Sequence, residues 1–190
     1  MSLEIEAKIK VECFDEVLHR LAGAGAVRIG AVLETNSFFD TSAGTLVAAD
    51  KGLRLRRTRE LATNEQHFII TVKGPQQQGP FKSREEAEVN VDNGDRAANV
   101  LKALGFVPTL TFEKRRESFE LGGCKIELDE LPILGRFVEI EGPDEDAIAQ
   151  VRETLGLADR PPIKTGYIGM LAKHLRDTGD PRMLITFDPK

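Results

Sequence analysis

The sequence predicts an α+β domain built on an antiparallel sheet, and three observations predict it. Eight segments alternate apolar and polar residues at period two. Most neighbouring segments are joined by short turn-like pieces, at 41–44, 122–123 and 134–135, which favours hairpins. A strand–helix–strand unit also recurs. Glu4-Ile5-Glu6-Ala7 opens the first half and Glu86-Ala87-Glu88-Val89 the second, and Gly25 precedes Phe39 by the same interval, 14 residues, as Gly105 precedes Phe119. Two such units suggest two half-sheets that pair to close a barrel. Chance similarity between two common units is the alternative.

The elements follow in order. A strand is expected over about 3–11, then a helix over about 14–24, with Asp15 near its start and Val17, Leu18 and Leu21 as its apolar stripe. Strands follow at about 33–40, 52–59 and 66–73. Gly74-Pro75-Gln76-Gln77-Gln78-Gly79-Pro80 reads as a mobile loop, leading to a strand at about 84–91. The second helix, about 95–104, takes Asp95 as N-cap, Val100, Leu101 and Leu104 as stripe and Gly105 as C-cap. Three strands come next, at about 110–120, 124–130 and 136–142. The third helix, about 144–155, has Asp144 as cap, Ile148, Val151 and Leu155 as stripe and Gly156 as stop. The fourth, about 165–176, carries Tyr167, Ile168, Leu171 and Leu175. The domain is therefore placed at 1–176. The tail 177–190, rich in Pro, Gly and Asp, either adds an edge strand or frays.

Composition narrows the function. A chain of 190 residues with 41% hydrophobic and 30% charged residues can bury a core. No stretch approaches the roughly 20 apolar residues of a membrane span. The start, Met-Ser-Leu-Glu-Ile-Glu, lacks the apolar region of a signal peptide, so the expected location is the cytoplasm. Cys13 and Cys124 make neither a disulfide framework nor a zinc site. His19, His67 and His174 have no metal-binding spacing, and the net charge of −5 argues against a nucleic-acid partner.

The charges carry the information. Residues i and i+2 of a strand share a face. Glu4, Glu6 and Lys8 share one, as do Arg54 and Arg56; Arg84, Glu86 and Glu88; Glu127 and Asp129; and Glu139 and Glu141. Lys114 and Arg116 also share a face, but Arg115 and Glu117 occupy the other. A sheet with one wet face explains any single strand. The set is different, because most strands present doubled charges of one sign. Paired carboxylates repel unless a cation lies between them, and paired arginines repel unless an anion does. The pattern suggests carboxylates holding a hard divalent cation, Mg²⁺ or Mn²⁺ rather than zinc, beside Arg and Lys holding phosphates. Lys8, Arg54, Arg56, Lys73, Lys114, Arg116 and Lys164 are too many cations for one phosphate, and a triphosphate matches them better. No Walker A loop is present.

Glu4-x-Glu6-x-Lys8 resembles the ExExK signature of the CYTH family, the triphosphate tunnel metalloenzymes, which includes class IV adenylate cyclases and thiamine triphosphatases. Arg54-Leu55-Arg56 resembles that family's RxR strand, Thr71-Val72-Lys73-Gly74 its next basic strand and Arg84-Glu85-Glu86-Ala87-Glu88 its RxExE strand. Glu113-Lys114-Arg115-Arg116 resembles the basic strand of the second half. Glu127-Leu128-Asp129 and Gly135-Arg136-Phe137-Val138-Glu139-Ile140-Glu141 resemble the late acidic strands. Lys164-Thr165-Gly166-Tyr167 resembles the C-terminal Lys-Ser-Tyr element, one residue longer than usual. The match spans about 3–175.

The resemblance implies a closed eight-stranded antiparallel β-barrel with helices outside and the doubled charges in its lumen. It implies Glu4, Glu6, Asp129, Glu139 and Glu141 as metal ligands, with Glu127 and Glu88 as helpers. It places Lys8, Arg54, Arg56, Lys73, Lys114, Arg116 and Lys164 on the triphosphate, with Arg84 as a further contact. Glu4, Glu6, Lys8, Lys73 and Lys164 are the implied catalytic set. Glu34, Asp40, Arg57, Arg59 and Glu65 are expected on the solvated surface, and Tyr167 is expected to pack or hydrogen-bond near Lys164.

Three functions fit these expectations. The first is metal-dependent hydrolysis of inorganic, nucleoside or thiamine triphosphate. The second is cyclisation of ATP to cyclic AMP and pyrophosphate, as in a class IV adenylate cyclase. The third is a non-catalytic module that binds polyphosphate or nucleotide. Neither a nucleic-acid nor a membrane partner is expected, and a homodimer is a fair guess.

Overall fold

The computed structural model describes residues 2–187, with side chains from Glu4 onward. Its elements are β1 (Ser2–Val11), α1 (Asp15–Gly23), β2 (Val27–Thr41), α2 (Thr45–Ala48), β3 (Gly52–Glu60), β4 (Gln66–Gln76), β5 (Lys82–Val91), α3 (Gly94–Ala103), β6 (Phe106–Leu121), β7 (Cys124–Leu131), β8 (Gly135–Glu141), α4 (Glu145–Thr154), α5 (Tyr167–Thr178) and β9 (Leu184–Ile185). The eight expected strands and four expected helices are all present.

The sheet order is β2-β3-β4-β5-β1-β8-β7-β6, and β2 pairs back onto β6, so the sheet closes into an antiparallel barrel. The internal repeat has a structural counterpart. β1 and β5 open the two halves and pair antiparallel with each other, as do β2 and β6, their partners across the first helix of each half. Gly25 and Gly105 both follow those helices at positive φ, where a side chain is strained.

Several elements differ from expectation. Gly74, Pro75 and Gln76, expected in a mobile loop, continue β4 to Gln76, which pairs with Arg84 of β5 across an irregularity. β2 begins at Val27 because its backbone stays paired to β6 across an irregularity at Arg28–Gly30, although Gly30 interrupts the side-chain pattern. β6 likewise extends back to Phe106. The N-cap of α3 is Asn93, whose Oδ1 accepts from the Arg96 N–H at 2.9 Å, rather than Asp95. α2 was not expected, and it is too short to show a period. The Asp40 carboxylate holds it by accepting from the N–H groups of Leu46 at 2.8 Å and Val47 at 3.0 Å. In the tail, β9 pairs parallel with β6, while 188–190 lie outside the described residues.

The main core lies outside the barrel. Ala7, Ile9, Ile126, Leu128, Val138 and Ile140 face outward from β1, β7 and β8, against Val17 and Leu21 of α1 and Ile148, Val151 and Leu155 of α4. A second cluster seats Leu101 of α3 on Leu53 and Leu55 of β3. A third places Tyr167 and Leu171 of α5 against Leu110, Phe112 and Phe137. With the apolar faces covered outside, period two sends every intervening side chain into the lumen. No helix among the described residues is long and apolar enough to cross a membrane.

Ile148 is fully buried on α4 against the barrel wall. Ile148→Ala should therefore cost about 2–5 kcal/mol, through lost burial and a residual cavity. Urea denaturation measures this, and a loss below about 1 kcal/mol would show that α4 is not part of the core.

Candidate active site

The lumen is a cavity of about 740 Å³. Its floor is a buried charge network centred on Asp129. Arg116 grips that carboxylate with two hydrogen bonds of 2.6 Å, and also binds Glu139 at 2.5 Å and pairs with Glu127. The flat guanidinium fork fits a carboxylate in this two-pronged way. Lys114 lies 3.2 Å from Asp129 and 3.3 Å from Glu34. Tyr167 donates its hydroxyl to Asp129 at 2.9 Å. Its ring carries the Lys8 ammonium 4.2 Å from the centroid and the Lys114 ammonium at 5.4 Å. Lys8 is fully buried, 3.2 Å from Glu139, and donates to the Thr165 carbonyl at 3.3 Å.

The electrostatics follow from this packing. Burial raises Asp129 to about 6 against the pull of Arg116 and Lys114. Glu139, despite its burial, is held well below the usual range by Lys8 and Arg116. Glu34, equally buried, is held down by Lys114 and Arg56. Burial and the neighbouring Asp129 push the Tyr167 phenol well above its ordinary value, so it stays a hydrogen-bond donor.

Two regions of the lumen are less satisfied. Arg54 and Arg56 project from the same face of β3, and the Nε of each is buried with no hydrogen-bond partner among the described residues. Burial, then the adjacent Arg56 charge, lowers Arg54 to about 10. Across from them, β1 and β8 set Glu6 beside Glu141, with Glu4 one step along. Burial, then the nearby Glu4 and Glu127, pushes Glu141 up to about 7. Burial and a hydrogen bond with Glu86 raise Glu4. One wall therefore carries excess positive charge, and the opposite wall excess negative charge.

The structure gathers Glu4, Glu6, Lys8, Arg54, Arg56, Lys73, Arg84, Glu88, Arg116, Lys114, Glu127, Glu139 and Glu141 around this one cavity, with Asp129 directly behind it. Arg84 lies at one mouth, where it donates to the Asp50 carboxylate at 2.8 Å and to the Gly74 carbonyl at 3.0 Å. Lys164 requires a correction. It is exposed, lies outside the cavity lining and donates to the Gly79 carbonyl of the 77–81 loop. Glu34 and Asp40 are corrections as well, since both are buried. Glu34 braces Lys114 and Arg56, and Asp40 caps α2. Arg57, Arg59 and Glu65 lie outside the cavity lining, with Arg57 and Arg59 on exposed hydrogen bonds to Gln66 and Asn64.

Several site residues were not singled out from the sequence. Lys82 bonds Glu6 at 2.7 Å. Thr71 bridges Arg54 and Glu88. Asn36 orients Glu34 by donating to it at 3.2 Å. Lys82 and Thr71 share their strand faces with charges that the period-two reading did use, so the same signal reaches them. The first turn of α5 lines the cavity from Tyr167 to Gly169, and no side chain caps its N-terminus. Its N–H groups add partial positive charge to the wall.

A profile of the CYTH domain matches residues 2–161. The chain belongs to the CYTH family. Among CYTH relatives, it is 30% identical over 155 residues to the adenylate cyclase CyaB of Aeromonas hydrophila, covering 80% of this chain and 76% of the relative. A Pyrococcus horikoshii protein of solved structure superposes with a TM-score of 0.78 at 24% identity, covering 90% of this chain and 99% of that one. A Hippeastrum protein, described as an adenylyl cyclase candidate with a dominant triphosphatase activity, has the same fold with a TM-score of 0.69 at 18% identity, over 92% and 96% of the two chains.

CYTH tunnel enzymes are generally dependent on divalent metal. The wall of Glu4, Glu6 and Glu141 fits such an ion, because it offers hard oxygens whose mutual repulsion a cation relieves. Among the described residues no group of three Asp, Glu, His or Cys side chains is placed to hold a metal ion. Mg²⁺ typically takes only one or two carboxylates and completes its shell with water and substrate phosphates, so an open wall suits it.

Glu141 makes this testable without substrate. Its pKa in the folded chain lies above its ordinary value of 4.5, so between that value and about 7 the folded state keeps a proton that the unfolded state has lost. Stability from this group therefore falls as pH rises through that window. In metal-free buffer Tm should drop from about pH 5 to about pH 8, and Glu141→Gln should flatten that slope. An unchanged slope in the variant would show that Glu141 is not under this stress.

Proposed function

We propose that this CYTH protein is a divalent-metal-dependent triphosphatase that hydrolyses triphosphate substrates inside the barrel. The observation that carries the reading is the pair of buried, under-satisfied guanidinium groups of Arg54 and Arg56 facing the crowded carboxylate wall. A triphosphate supplies the missing acceptors on one side, and its accompanying cation relieves the repulsion on the other.

Strand β6 suggests how the substrate lies. Its lumen positions run from Leu110 and Phe112, through Lys114 and Arg116, to Ser118, which pairs with Glu127. Charge along this face of β6 therefore changes from neutral to basic, and Glu127 of β7 lies beside its far end. An extended triphosphate would place its inner phosphates in the basic section and its terminal phosphate toward the acidic wall.

In this arrangement Arg54, Arg56 and Lys73 bind the phosphate chain, while Arg116 and Lys114 are fixed in place by Asp129. A divalent cation held by one or two carboxylates of the Glu4, Glu6 and Glu141 wall would supply Lewis acidity and charge neutralisation. Water attacks the terminal phosphorus and the bond to the bridging oxygen breaks. The arginines stabilise the charge left on the departing diphosphate. Glu139 and Asp129, saturated by Lys8 and Arg116, are assigned here to positioning those cations rather than to holding the metal.

Cyclisation of ATP is the second reading, favoured by the adenylate cyclase from Aeromonas hydrophila at 30% identity. It requires the nucleoside to fold back onto the α-phosphate, whereas hydrolysis uses the extended pose. A ³¹P NMR time course with Mg²⁺ or Mn²⁺ on ATP and on inorganic triphosphate separates them. Orthophosphate without a cyclic product is expected, and a cyclic nucleotide plus pyrophosphate would establish the cyclase instead.

The double variant Glu4→Gln/Glu6→Gln should retain its fold by circular dichroism and lose turnover by at least about 100-fold. Full activity would remove these carboxylates from the metal site. Arg54→Ala should raise KM about tenfold or more, since a charge-assisted contact is lost. An unchanged KM would contradict its contact with the phosphates.

A further inference from the structure

One carboxylate of the acidic wall already holds a cation of the chain itself. Lys82 of β5 stands opposite Glu6 of β1 in the antiparallel register, and its ammonium donates to the Glu6 carboxylate at 2.7 Å. Lys8 approaches the same oxygen at 3.6 Å, but it lies closer to Glu139, at 3.2 Å. Glu6 is buried, and the Lys82 side chain is 11% exposed. The two ends of Lys82 are held differently. Its backbone is anchored, because the neighbouring Ser83 carbonyl accepts from the Gln77 N–H at 2.8 Å and Phe81 is buried in the core cluster with Ile148 and Val151 of α4. Its ammonium has Glu6 as its only ion-pair partner among the described residues. Arg116, by contrast, is locked by a planar fork that engages three carboxylates. A lysine ammonium is a point charge on a flexible stem and can exchange one anion for another. Lys82 also lines the cavity, so an anion in the lumen lies within its surroundings.

We propose that Lys82 is a transferable counter-ion: it pairs with Glu6 until a divalent cation takes that carboxylate, and its ammonium then moves onto an oxygen of the phosphate chain that accompanies the cation. The proposal rests on the triphosphatase reading for the placement of cation and phosphates, but it needs no turnover. The exchange couples the two ligands. A cation that arrives alone strips Lys82 of its partner inside a buried site, and an unpaired buried charge is costly. A phosphate chain that arrives alone finds the Lys82 ammonium already engaged. Each ligand therefore binds more tightly in the presence of the other, and by linkage the factor is the same in both directions.

The test is calorimetry on the wild type and on Lys82→Met, which keeps most of the stem and removes the charge. Two Kd values are read: that of Mg²⁺ alone, and that of the imido analogue of inorganic triphosphate, which resists hydrolysis, in saturating Mg²⁺. In Lys82→Met, Mg²⁺ alone should bind about tenfold more tightly, because its competitor for Glu6 is gone, and the analogue about tenfold more weakly, because a charge-assisted contact is lost. Shifts of opposite sign are not imitated by a damaged fold, which weakens both. Glu6 keeps Lys8 at 3.6 Å in this variant, so no carboxylate is left without a cation. Lys82→Gln, which can still donate to Glu6, reads the same two constants should the methionine variant fold poorly. Lys82→Arg keeps the charge and should return both constants toward the wild-type values. Unchanged or weaker Mg²⁺ binding in Lys82→Met, or unchanged binding of the analogue, overturns the proposal. Opposed shifts in a protein that turns over no triphosphate keep Lys82 in this role while the triphosphatase reading fails. Turnover by a wild type whose variant lacks those shifts leaves that reading and removes Lys82 from it. A wild type that does not bind the analogue overturns both.

Discussion

Closure of the sheet through β2 and β6 gives every strand an inside and an outside, and the rest of the molecule depends on that division. A barrel of eight strands is too narrow to hold a conventional core and a ligand together. The apolar faces therefore turn outward and are covered by α1, α3 and α4. The lumen is left to charge, except at the end closed by α5, where Leu110, Phe112 and Phe137 pack on Tyr167 and Leu171. Burying so many ionised groups is unfavourable unless each meets an opposite one, and the floor meets that demand through Asp129, Arg116, Lys114, Glu34 and Glu139. The barrel is thus a rigid scaffold with a pre-paired ionic floor, above which two walls remain incompletely paired.

That incompleteness is the link from fold to chemistry. Pairing fixes Lys8, Lys114 and Arg116 in position, so under the proposed function they need no reorganisation when a ligand arrives. The freer groups, Arg54 and Arg56 on one side and Glu4 and Glu141 on the other, are the ones left to respond to a ligand. A lone polyanion would meet the carboxylates, and a lone cation would meet the arginines. An anion and a cation entering together relieve both walls, which is why the geometry supports a metal–triphosphate pair over either alone.

Much of this was legible in the sequence, because period two is a simple code. Glu4, Glu6 and Lys8, or Arg54 and Arg56, can share a face only if they lie in a strand, and apolar neighbours such as Ile9 and Leu55 fix which face is covered. What was not legible depended on contacts remote in sequence. Glu34 sits on a strand flanked by Leu33 and Thr35 and looks like surface until β6 brings Lys114 against it. Asp40 looks the same until α2 folds back onto it. Lys164 carries the right residue type, but its ammonium meets the Gly79 carbonyl, a contact remote in sequence that local pattern does not contain. The cap of α3 was displaced by two residues for a similar reason, since Asn93 and Asp95 are both good caps and only the geometry at the end of β5 selects one.

The central claim is that the lumen accepts a polyanion only together with a divalent cation. The most direct test is a calorimetric titration of inorganic triphosphate into the protein, with Mg²⁺ and again with EDTA, at constant ionic strength. The account predicts affinity at least about tenfold higher with Mg²⁺, since the cation must neutralise the Glu4–Glu141 wall before phosphate can approach it. Equal affinity under both conditions would mean that the basic wall alone binds the ligand and that the carboxylates are structural.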